Sequence, residues 1–365
     1  MHSSCEACVK RTVFSLLVLF GLFSSLFGTD IKVLLSVEKR AVSLSGESFS
    51  FGRYTMAPRR AYAVDGRIYV DGVDTGKWFI ELTPREGFFT VEGRSYRGSL
   101  LLATDYLFLY VINKVDIESY LKGVLPREIV STWPEESLKA QAVAARTYAY
   151  RMIKDNGTKL WHLDASHMSQ VYGGKTGETE PTNRAVDETR DIVLTYRGEL
   201  LTAFYHASSG GITARPSDIW KVADGQYPYL KSFEDPWSLR TPHDSWECRF
   251  EIAALAGAFD TGPLKKILVE YSPTGRALSL ELVSSAGTFK ISGNDFRLRM
   301  GASLIKSTYF KASIEGGTLY LRGKGFGHGV GLSQWGARNM AEKGHSYKEI
   351  LTFYYRDVSL AKIRW

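Results

Sequence analysis

Residues 132–156 constrain the fold more than any other part of this 365-residue chain, because they predict a long helix with small side chains on one face. Apolar residues recur there at spacings of four, three, four and four, which is a helical period. These residues are Leu138, Ala142, Ala145, Ala149 and Ile153. Since most of them are alanines, neighbouring elements are expected to approach closely. Lys139 and Arg146 border the stripe.

Both ends of this helix carry local signals. Thr132 and Glu135 match a T-x-x-E capping box, and Pro134 stands in the first turn, where its missing N–H costs nothing. Asn156 and Gly157 are typical of a helix end.

The segments around this helix indicate the fold class. Residues 31–112 are short β-rich runs separated by Gly, Asp and Asn, which predicts an antiparallel β region. Residues 246–321 alternate strands with short helical patterns and are interpreted as a small inserted α/β subdomain. We predict an α+β protein with a β-rich N-terminal region at 29–112 and a main domain at 113–365.

The first 28 residues are typical of an export signal. Lys10 and Arg11 precede an apolar run that is too short for a comfortable transmembrane helix. The site around Gly28 is an imperfect cleavage site, so a removed signal peptide and a retained membrane anchor both remain open. In either case the protein is expected in the periplasm, cell envelope or cell wall. Removal would leave Cys248 as the one cysteine, which excludes an intrachain disulfide.

The net charge of +7 suits an anionic cell wall or membrane surface. The sequence contains no basic block and no nucleic-acid motif. Together with export, this argues against a nucleic-acid partner.

The C-terminal part opens with GKGFGHGVGLSQWGA, in which glycines alternate with other residues. They are Gly323, Gly325, Gly327, Gly329 and Gly331. In an extended chain they would share one face of bare backbone, able to lie against another segment or a ligand. A helix is predicted from about Ser333 to Gly344, and Ser346 with Glu349 predicts a second capping box.

Two kinds of site have weak support. Four residues could be zinc ligands: His162, Asp164, His167 and His206. Their spacing matches no recognised zinc motif, and no cysteine pair accompanies them. Ser208 and Ser209 near His206 could include a nucleophile, but the G-x-S-x-G pattern and an acidic partner are not evident. A polar turn at a strand end is the favoured interpretation.

A lone carboxylic acid, Glu128, is the third candidate. A glutamate is usually exposed to solvent. Leu125, Ile129 and Trp133 would instead pack this segment down, and partial burial raises a carboxyl pKa and suits a proton donor. The positive charge of the neighbouring Arg127 would instead lower the pKa of Glu128. From these residues alone both interpretations stay open.

With these segments considered, the chain resembles the SpoIID/LytB family, which includes the sporulation protein SpoIID and the amidase enhancer LytB. The matching stretches occur in family order and span roughly residues 113–365. They are IESYLKGVLPREIVSTWPEESLKAQAVAARTYAY, SQVYGG, SSGG, FRLRMG with LIKSTYF, and GFGHGVGLSQWGARNMAEKGHSYKEILTFYY.

This resemblance implies a SpoIID-like catalytic core and an exported peptidoglycan lytic transglycosylase. Such enzymes cleave the bond between N-acetylmuramic acid and N-acetylglucosamine, prefer glycan strands stripped of peptides, and leave 1,6-anhydro ends. The family's catalytic acid lies in the segment matched by LPREIVSTWP, at Glu128. Because the muramic acid's C6 hydroxyl is the nucleophile, the second carboxyl of ordinary glycosidases is dispensable.

The resemblance also implies a substrate groove. The expected groove residues are Gln170, Tyr172, Ser208, Ser209, His328, Ser333 and Gln334. Lys139 and Arg146 are interpreted as support for the Glu128 loop, with the lactyl carboxylate of muramic acid as their alternative partner. Some relatives bind zinc through cysteines near QVYGG and in the serine–glycine turn. This chain has no cysteine there, so neither zinc nor another cofactor is expected.

A second function remains open. An amidase-enhancer type of member would be a scaffold that binds peptidoglycan or a wall amidase without cutting. A glutamate at position 128 favours the enzyme, since binding alone needs no proton donor.

Overall fold

The computed structural model describes residues 29–39, 41–45, 49–51, 54–166 and 170–363. The predicted signal at residues 1–28 and the candidate ligand His167 lie outside the described residues. The mixed α+β class predicted from the sequence is confirmed. Within these ranges no helix is both long and apolar enough to cross a membrane.

The chain divides into two compact units. The first comprises the described residues up to Val124, the described residues within 155–177 and residues 362–363. The second comprises residues 125–154 and 178–361. These units differ from the predicted domains, because the first reaches past residue 112 and takes in a later segment of the chain.

The first unit is built mainly from antiparallel strands. Its strands are β1 (Asp30–Glu38), β2 (Val42–Ser45), β3 (Phe49–Phe51), β4 (Tyr54–Met56), β5 (Arg60–Val64), β6 (Arg67–Val70), β7 (Val73–Asp74), β8 (Phe79–Pro84), β9 (Phe88–Val91), β10 (Arg94–Arg97), β11 (Ser99–Thr104), β12 (Leu109–Asp116) and β13 (Leu163–Asp164). One sheet has the order β13-β1-β12-β11-β8-β3-β4, and the other β10-β9-β2-β5-β6-β7. β1 pairs antiparallel with β12 and parallel with the short β13, which explains why residues 163–164 belong to this unit.

Helix α1 (Ile117–Glu128) follows β12, and the other helices and strands belong mainly to the second unit. Its helices are α2 (Glu135–Asn156), α3 (Glu180–Glu188), α4 (Ile252–Phe259), α5 (Gly293–Met300), α6 (Gln334–Glu342) and α7 (Tyr347–Tyr354). Its strands are β14 (Ile192–Tyr196), β15 (Glu199–Leu200), β16 (Tyr205–His206), β17 (Trp246–Glu251), β18 (Leu264–Tyr271), β19 (Ala277–Ser284), β20 (Gly287–Ser292), β21 (Phe310–Glu315), β22 (Thr318–Gly323), β23 (Leu332–Ser333) and β24 (Ser359–Lys362).

Helix α2 is buried on more than the predicted stripe. The stripe residues from Leu138 to Ala149 are buried as expected. On the opposite side, Ala140 and Ala144 pack into a core that also contains Leu332 and Ile350. Small side chains around the helix therefore allow neighbours to pack on both sides of it, which the single stripe did not predict.

The segment 246–321 has a hydrophobic core of its own, formed around Leu280, Phe296 and Leu321. Its sheets have the orders β17-β22-β21 and β18-β19-β20. One buried side chain, Arg276, reaches out of this subdomain. Its Nη2 donates hydrogen bonds to the carbonyl oxygens of Ser209 (3.1 Å) and Ile212 (2.8 Å).

The capping predictions had different outcomes. Ser346 and Glu349 form the predicted capping box at the start of α7. Helix α2 begins at Glu135, directly after Pro134, so the cap predicted at Thr132 is wrong. Glu135 is instead paired with Lys139, one turn further along the helix (2.6 Å).

The glycine-rich segment is not the extended strand that its alternation predicted. β22 ends at Gly323, and the glycines that follow have positive φ: Gly325, Gly327, Gly329 and Gly331. The predicted close approach of another segment is present, since Phe326 N–H donates to the carbonyl of Ser208 (2.8 Å). A Cβ on Gly325, where φ is +76°, would lie 2.7 Å from that carbonyl oxygen. Glycine therefore meets two constraints there, conformation and space.

Replacing Gly325 with alanine is expected to lower the free energy of unfolding by roughly 2–4 kcal/mol, through backbone strain and displacement of the Ser208 carbonyl. Gly344→Ala is the matched control, because Gly344 has a φ of +87° with open space around it. That variant should lose only about 1 kcal/mol. Urea unfolding measures both values. Equal losses would mean that the contact with Ser208 contributes nothing.

Candidate functional site

Glu128 is the last residue of helix α1, and its side chain is half-buried. The backbone carbonyl groups of a helix's last turn have no partner within the helix. Here the Nε2 of Gln334, the first residue of α6, donates to the carbonyl oxygen of Glu128 at 2.9 Å. A side chain from the C-terminal part of the chain therefore fixes the main chain of the candidate acid.

The same amide of Gln334 also reaches Gln141 on helix α2, with 3.4 Å between Nε2 and Oε1. Gln141 is fully buried. Its own Nε2 has no hydrogen-bond partner in the part of the chain that the structure describes. Gln334 thus connects the end of α1 to the core helix α2.

Two tryptophans accompany this arrangement. Trp133 lies five residues after Glu128, Trp335 follows Gln334, and their rings are in edge contact, with centroids 4.8 Å apart. Both rings are half-buried. A half-buried carboxyl can donate a proton to a bound ligand and take one from it, and the accessible part of the two rings can stack on such a ligand. The sequence analysis did not identify these rings as site residues, although Trp335 adjoins the predicted Gln334.

Lys139 and Arg146 are bound to protein groups. Lys139 Nζ lies 2.6–3.2 Å from carboxylates of Glu135, Glu136 and Glu188. Arg146 is fully buried, and its guanidinium donates to the carbonyl of Val186 (3.0 Å) and to other groups around α3 and β14. These contacts agree with a supporting role and leave neither cation available for a lactyl carboxylate.

The serines predicted to line the groove form a buried network. Ser238 Oγ lies 3.0 Å from Ser208 Oγ and 2.9 Å from Ser333 Oγ. Ser209 Oγ donates to Asp235 Oδ2 (2.8 Å). Hydroxyl groups that are buried and bonded to one another offer no surface to a sugar, so the site proposed below does not include these serines. Asp235 is a buried acidic member of this network that the sequence analysis did not find, and it accepts from a serine instead of orienting a histidine as the acid of a triad does.

The histidines near this network are neutral. Burial, together with Arg297 and Arg276, lowers the pKa of His328 to about 3, and its Nδ1 accepts from Val330 N–H (3.0 Å). Burial also lowers the pKa of His206 well below its usual value. The rings of His206 and His328 are 5.5 Å apart. The Nδ1 of His328, which was expected to line the groove, is bound to backbone.

The remaining candidates belong to the first unit. Gln170 and Tyr172 are buried there: Tyr120 donates to Gln170 Oε1 (3.0 Å), and Tyr172 donates to Asn113 Oδ1 (2.8 Å). These are contacts of core residues, so the proposed site does not include them either. His162 Nδ1 accepts from Lys32 N–H (3.2 Å).

Metal binding was expected to be absent. The described residues contain no group of three or more His, Cys, Asp or Glu side chains that could hold a metal ion. Because His167 lies outside those residues, the absence of zinc stays a prediction.

Comparison with known proteins identifies relatives over most of the chain. The family model described as stage II sporulation protein, SpoIID, matches residues 108–196. An uncharacterised protein of Brachyspira hyodysenteriae is 36% identical over 284 residues, which cover 74% of each chain. The stage II sporulation protein D of Bacillus amyloliquefaciens is 30% identical over 69% of this chain and 76% of its own. The amidase enhancer of Bacillus subtilis is 32% identical over 66% of this chain and 40% of its own length.

The buried carboxyl of Asp235 makes stability depend on pH. Burial raises its pKa from 3.8 to about 6, although hydrogen bonds from Ser209 and Tyr354 act in the opposite direction. The pKa of Asp235 is higher in the folded protein than in the unfolded chain. The stability that the protonated carboxyl contributes is therefore fully present below pH 3.8 and is lost as the pH rises through 6. The Asp235→Asn variant cannot ionise at this position and therefore serves as the reference. The free energy of unfolding of the wild type, minus that of the variant, should fall by about 2–3 kcal/mol between pH 4 and pH 7.5. Urea unfolding at several pH values measures this difference, and a difference independent of pH would contradict it.

Proposed function

Because the chain belongs to the SpoIID/LytB family, we propose that it is an exported lytic transglycosylase that cleaves peptidoglycan glycan strands, with Glu128 as general acid and base. The observation that carries this proposal is the placement of Glu128. The residue that matches the family's acid ends a helix with its side chain half-buried, and Gln334 holds its main chain. A half-buried carboxyl on a main chain that is held in place suits proton transfer to a bound polymer.

The proposed reaction needs one carboxyl. Glu128 donates its proton to the oxygen between muramic acid C1 and the next N-acetylglucosamine, and the C1–O bond breaks. The C6 hydroxyl of the same muramic acid then bonds to C1, and the Glu128 carboxylate takes the hydroxyl proton. The products are a 1,6-anhydromuramic end and a free hydroxyl on the leaving sugar, and the acid is regenerated. The intramolecular hydroxyl replaces the nucleophile or activated water of other glycosidases.

The setting of this activity is part of the proposal. The relatives support a role connected with the cell wall. We place the protein outside the cytoplasm, on peptidoglycan strands from which an amidase has removed the peptides. It acts without a cofactor and contacts the membrane only if the N-terminal segment is retained. The net charge of +7 favours an anionic polymer.

A second candidate function has one specific observation in its favour. The relative named amidase enhancer is 32% identical over 66% of this chain. In that role the protein would bind peptidoglycan or an amidase as a scaffold and would cut nothing.

Glu128→Gln separates the two functions. Glutamine keeps the size and polarity of the side chain but cannot donate a proton as a carboxylic acid, so cleavage should fall by at least about 10²–10⁴-fold while folding and glycan binding persist. Mass spectrometry of intact and amidase-stripped peptidoglycan after incubation measures anhydromuramic ends. Glu180→Gln is the control, because Glu180 is an exposed carboxyl paired with Arg184 on α3.

Anhydro ends from wild type and Glu180→Gln alone assign both the reaction and its acid. Ends from Glu128→Gln at the wild-type rate would move the acid elsewhere. If no protein produces ends while all of them bind the glycan, the scaffold is the better description.

A further inference from the structure

A row of aromatic rings includes Trp335, the residue that follows Gln334. The ring of Trp133 contacts that of Trp335, with centroids 4.8 Å apart. Trp335 lies 6.0 Å from the ring of His243, which lies 5.2 Å from Phe326 in the glycine-rich segment. All of these rings are half-buried. We call Trp133, Trp335, His243 and Phe326 the aromatic row.

The row is connected to the candidate acid through the chain and through Gln334. Trp133 follows Glu128 by five residues, and Trp335 is bonded in sequence to Gln334, whose amide holds the Glu128 carbonyl. The other end reaches the glycine segment, where Gly325 N–H donates to the His243 carbonyl (2.7 Å). Backbone hydrogen bonds therefore fix the row at that end and the Gln334 amide fixes it near Glu128. Exposed ring surface on a fixed scaffold suits the apolar faces of successive pyranose rings.

A cation lies against the same rings. The guanidinium carbon of Arg338, on α6, is 4.9 Å from the centre of the Trp335 ring and 5.7 Å from that of Trp133. Its Nη2 pairs with Glu342 at 2.6 Å, and its side chain is 31% exposed. A guanidinium has five N–H donors, so the pair with Glu342 leaves donors for a second anion.

The cations considered first for a carboxylate on the substrate are occupied. Arg146 is fully buried, and Lys139 is surrounded by three glutamates. Arg338 combines partial exposure with a position against the rings of Trp133 and Trp335. It is therefore a cation of this region that can meet a ligand lying on the rings.

We propose that the aromatic row is the binding track of the glycan strand, and that Arg338 recognises the free lactyl carboxylate of a peptide-stripped muramic acid lying on it. This inference rests on the proposed function, since it takes peptidoglycan as the ligand. In an intact strand the lactyl group is a neutral amide that carries a bulky peptide. Hydrolysis of that amide leaves an anion, which a guanidinium binds much more strongly than an amide. Arg338 thereby sets the preference for stripped strands, and the rings bind either kind.

Binding is measured in the Glu128→Gln protein, so that no strand is cut. One ligand is a purified peptide-stripped glycan, and the other is the same glycan with its lactyl carboxylates converted to methylamides. Arg338→Gln should weaken binding of the stripped glycan about tenfold or more and leave the methylamide unchanged. Trp335→Leu should weaken both by a similar factor of about 3–10. Arg338→Lys keeps the charge and should keep part of the discrimination.

Two control variants test whether the effects depend on where the removed side chain lies. Arg356 also lies over aromatic rings, 4.2 Å from the centre of Phe233, so Arg356→Gln removes a similar stacked cation away from the row. Trp78 is 63% exposed in the first unit, and Trp78→Leu removes a comparable ring there. Both should bind both glycans like the parent protein. Thermal unfolding of each variant identifies any that fail to fold, and Trp335→Phe then replaces Trp335→Leu.

Equal effects of Arg338→Gln on the two glycans, or none, would overturn the role of Arg338. Unchanged binding in Trp335→Leu would overturn the track. Capture of a wall amidase that Trp335→Leu abolishes, with glycan binding unchanged, would assign the row to a protein partner and also overturn the proposal. If wild type cuts nothing but the carboxylate discrimination persists, the proposed activity fails and the binding track stands.

Discussion

The requirement that buried polar groups be hydrogen-bonded determines how the second unit is assembled around helix α2. Gln141 and Arg146 are both fully buried on this helix. Arg146 donates to the carbonyl of Val186, which fixes α3, and Gln141 accepts from Gln334, which fixes the start of α6. Gln334 then holds the carbonyl of Glu128. The position of the candidate acid thus depends on the polar partners of a buried helix.

The buried serines affect the position of Glu128 only indirectly, because they place the start of helix α6. Ser333 caps helix α6, since its hydroxyl accepts from Gly336 N–H (3.2 Å), and Ser238 ties it to the serine–glycine turn at Ser208. The buried carboxyl of Asp235 completes the network through Ser209. These residues therefore place the first turn of α6, from which Gln334 and Trp335 extend. Their role is to position the groups beside Glu128.

Short-range sequence patterns predicted which helices and strands form better than they predicted which elements lie next to each other. The α+β class, the end of α2 at Asn156 and the capping box at Ser346 follow from short-range rules, and the structure contains them. Residues 163–164 were not expected beside β1, because pairing between segments so far apart leaves no signal in a single sequence. The glycine alternation indicated close approach but not its conformation, since period two describes a strand and a series of positive-φ turns equally well.

The candidate site shows the same limit. The resemblance to the family indicated Glu128 and Gln334 as site residues. In the structure the side-chain amide of Gln334 donates to the backbone carbonyl of Glu128. The Trp133–Trp335 pair joins residues about two hundred positions apart, so neither ring was distinguishable in the sequence from a core aromatic. Asp235 was missed for the same reason, since its contact with Ser209 forms only in the folded chain.

Through Arg276, the rest of the second unit depends on the inserted subdomain more than the subdomain depends on the rest of the unit. With its own hydrophobic core, the subdomain can bury its apolar surface by itself. The serine–glycine turn, in contrast, relies on the Arg276 guanidinium to satisfy the carbonyl oxygens of Ser209 and Ile212. A shortened descendant lacking residues 246–321 would leave those oxygens without their donor unless water or a new side chain took its place. Such a module is easy to exchange for another that supplies a donor at the same point, and difficult to lose.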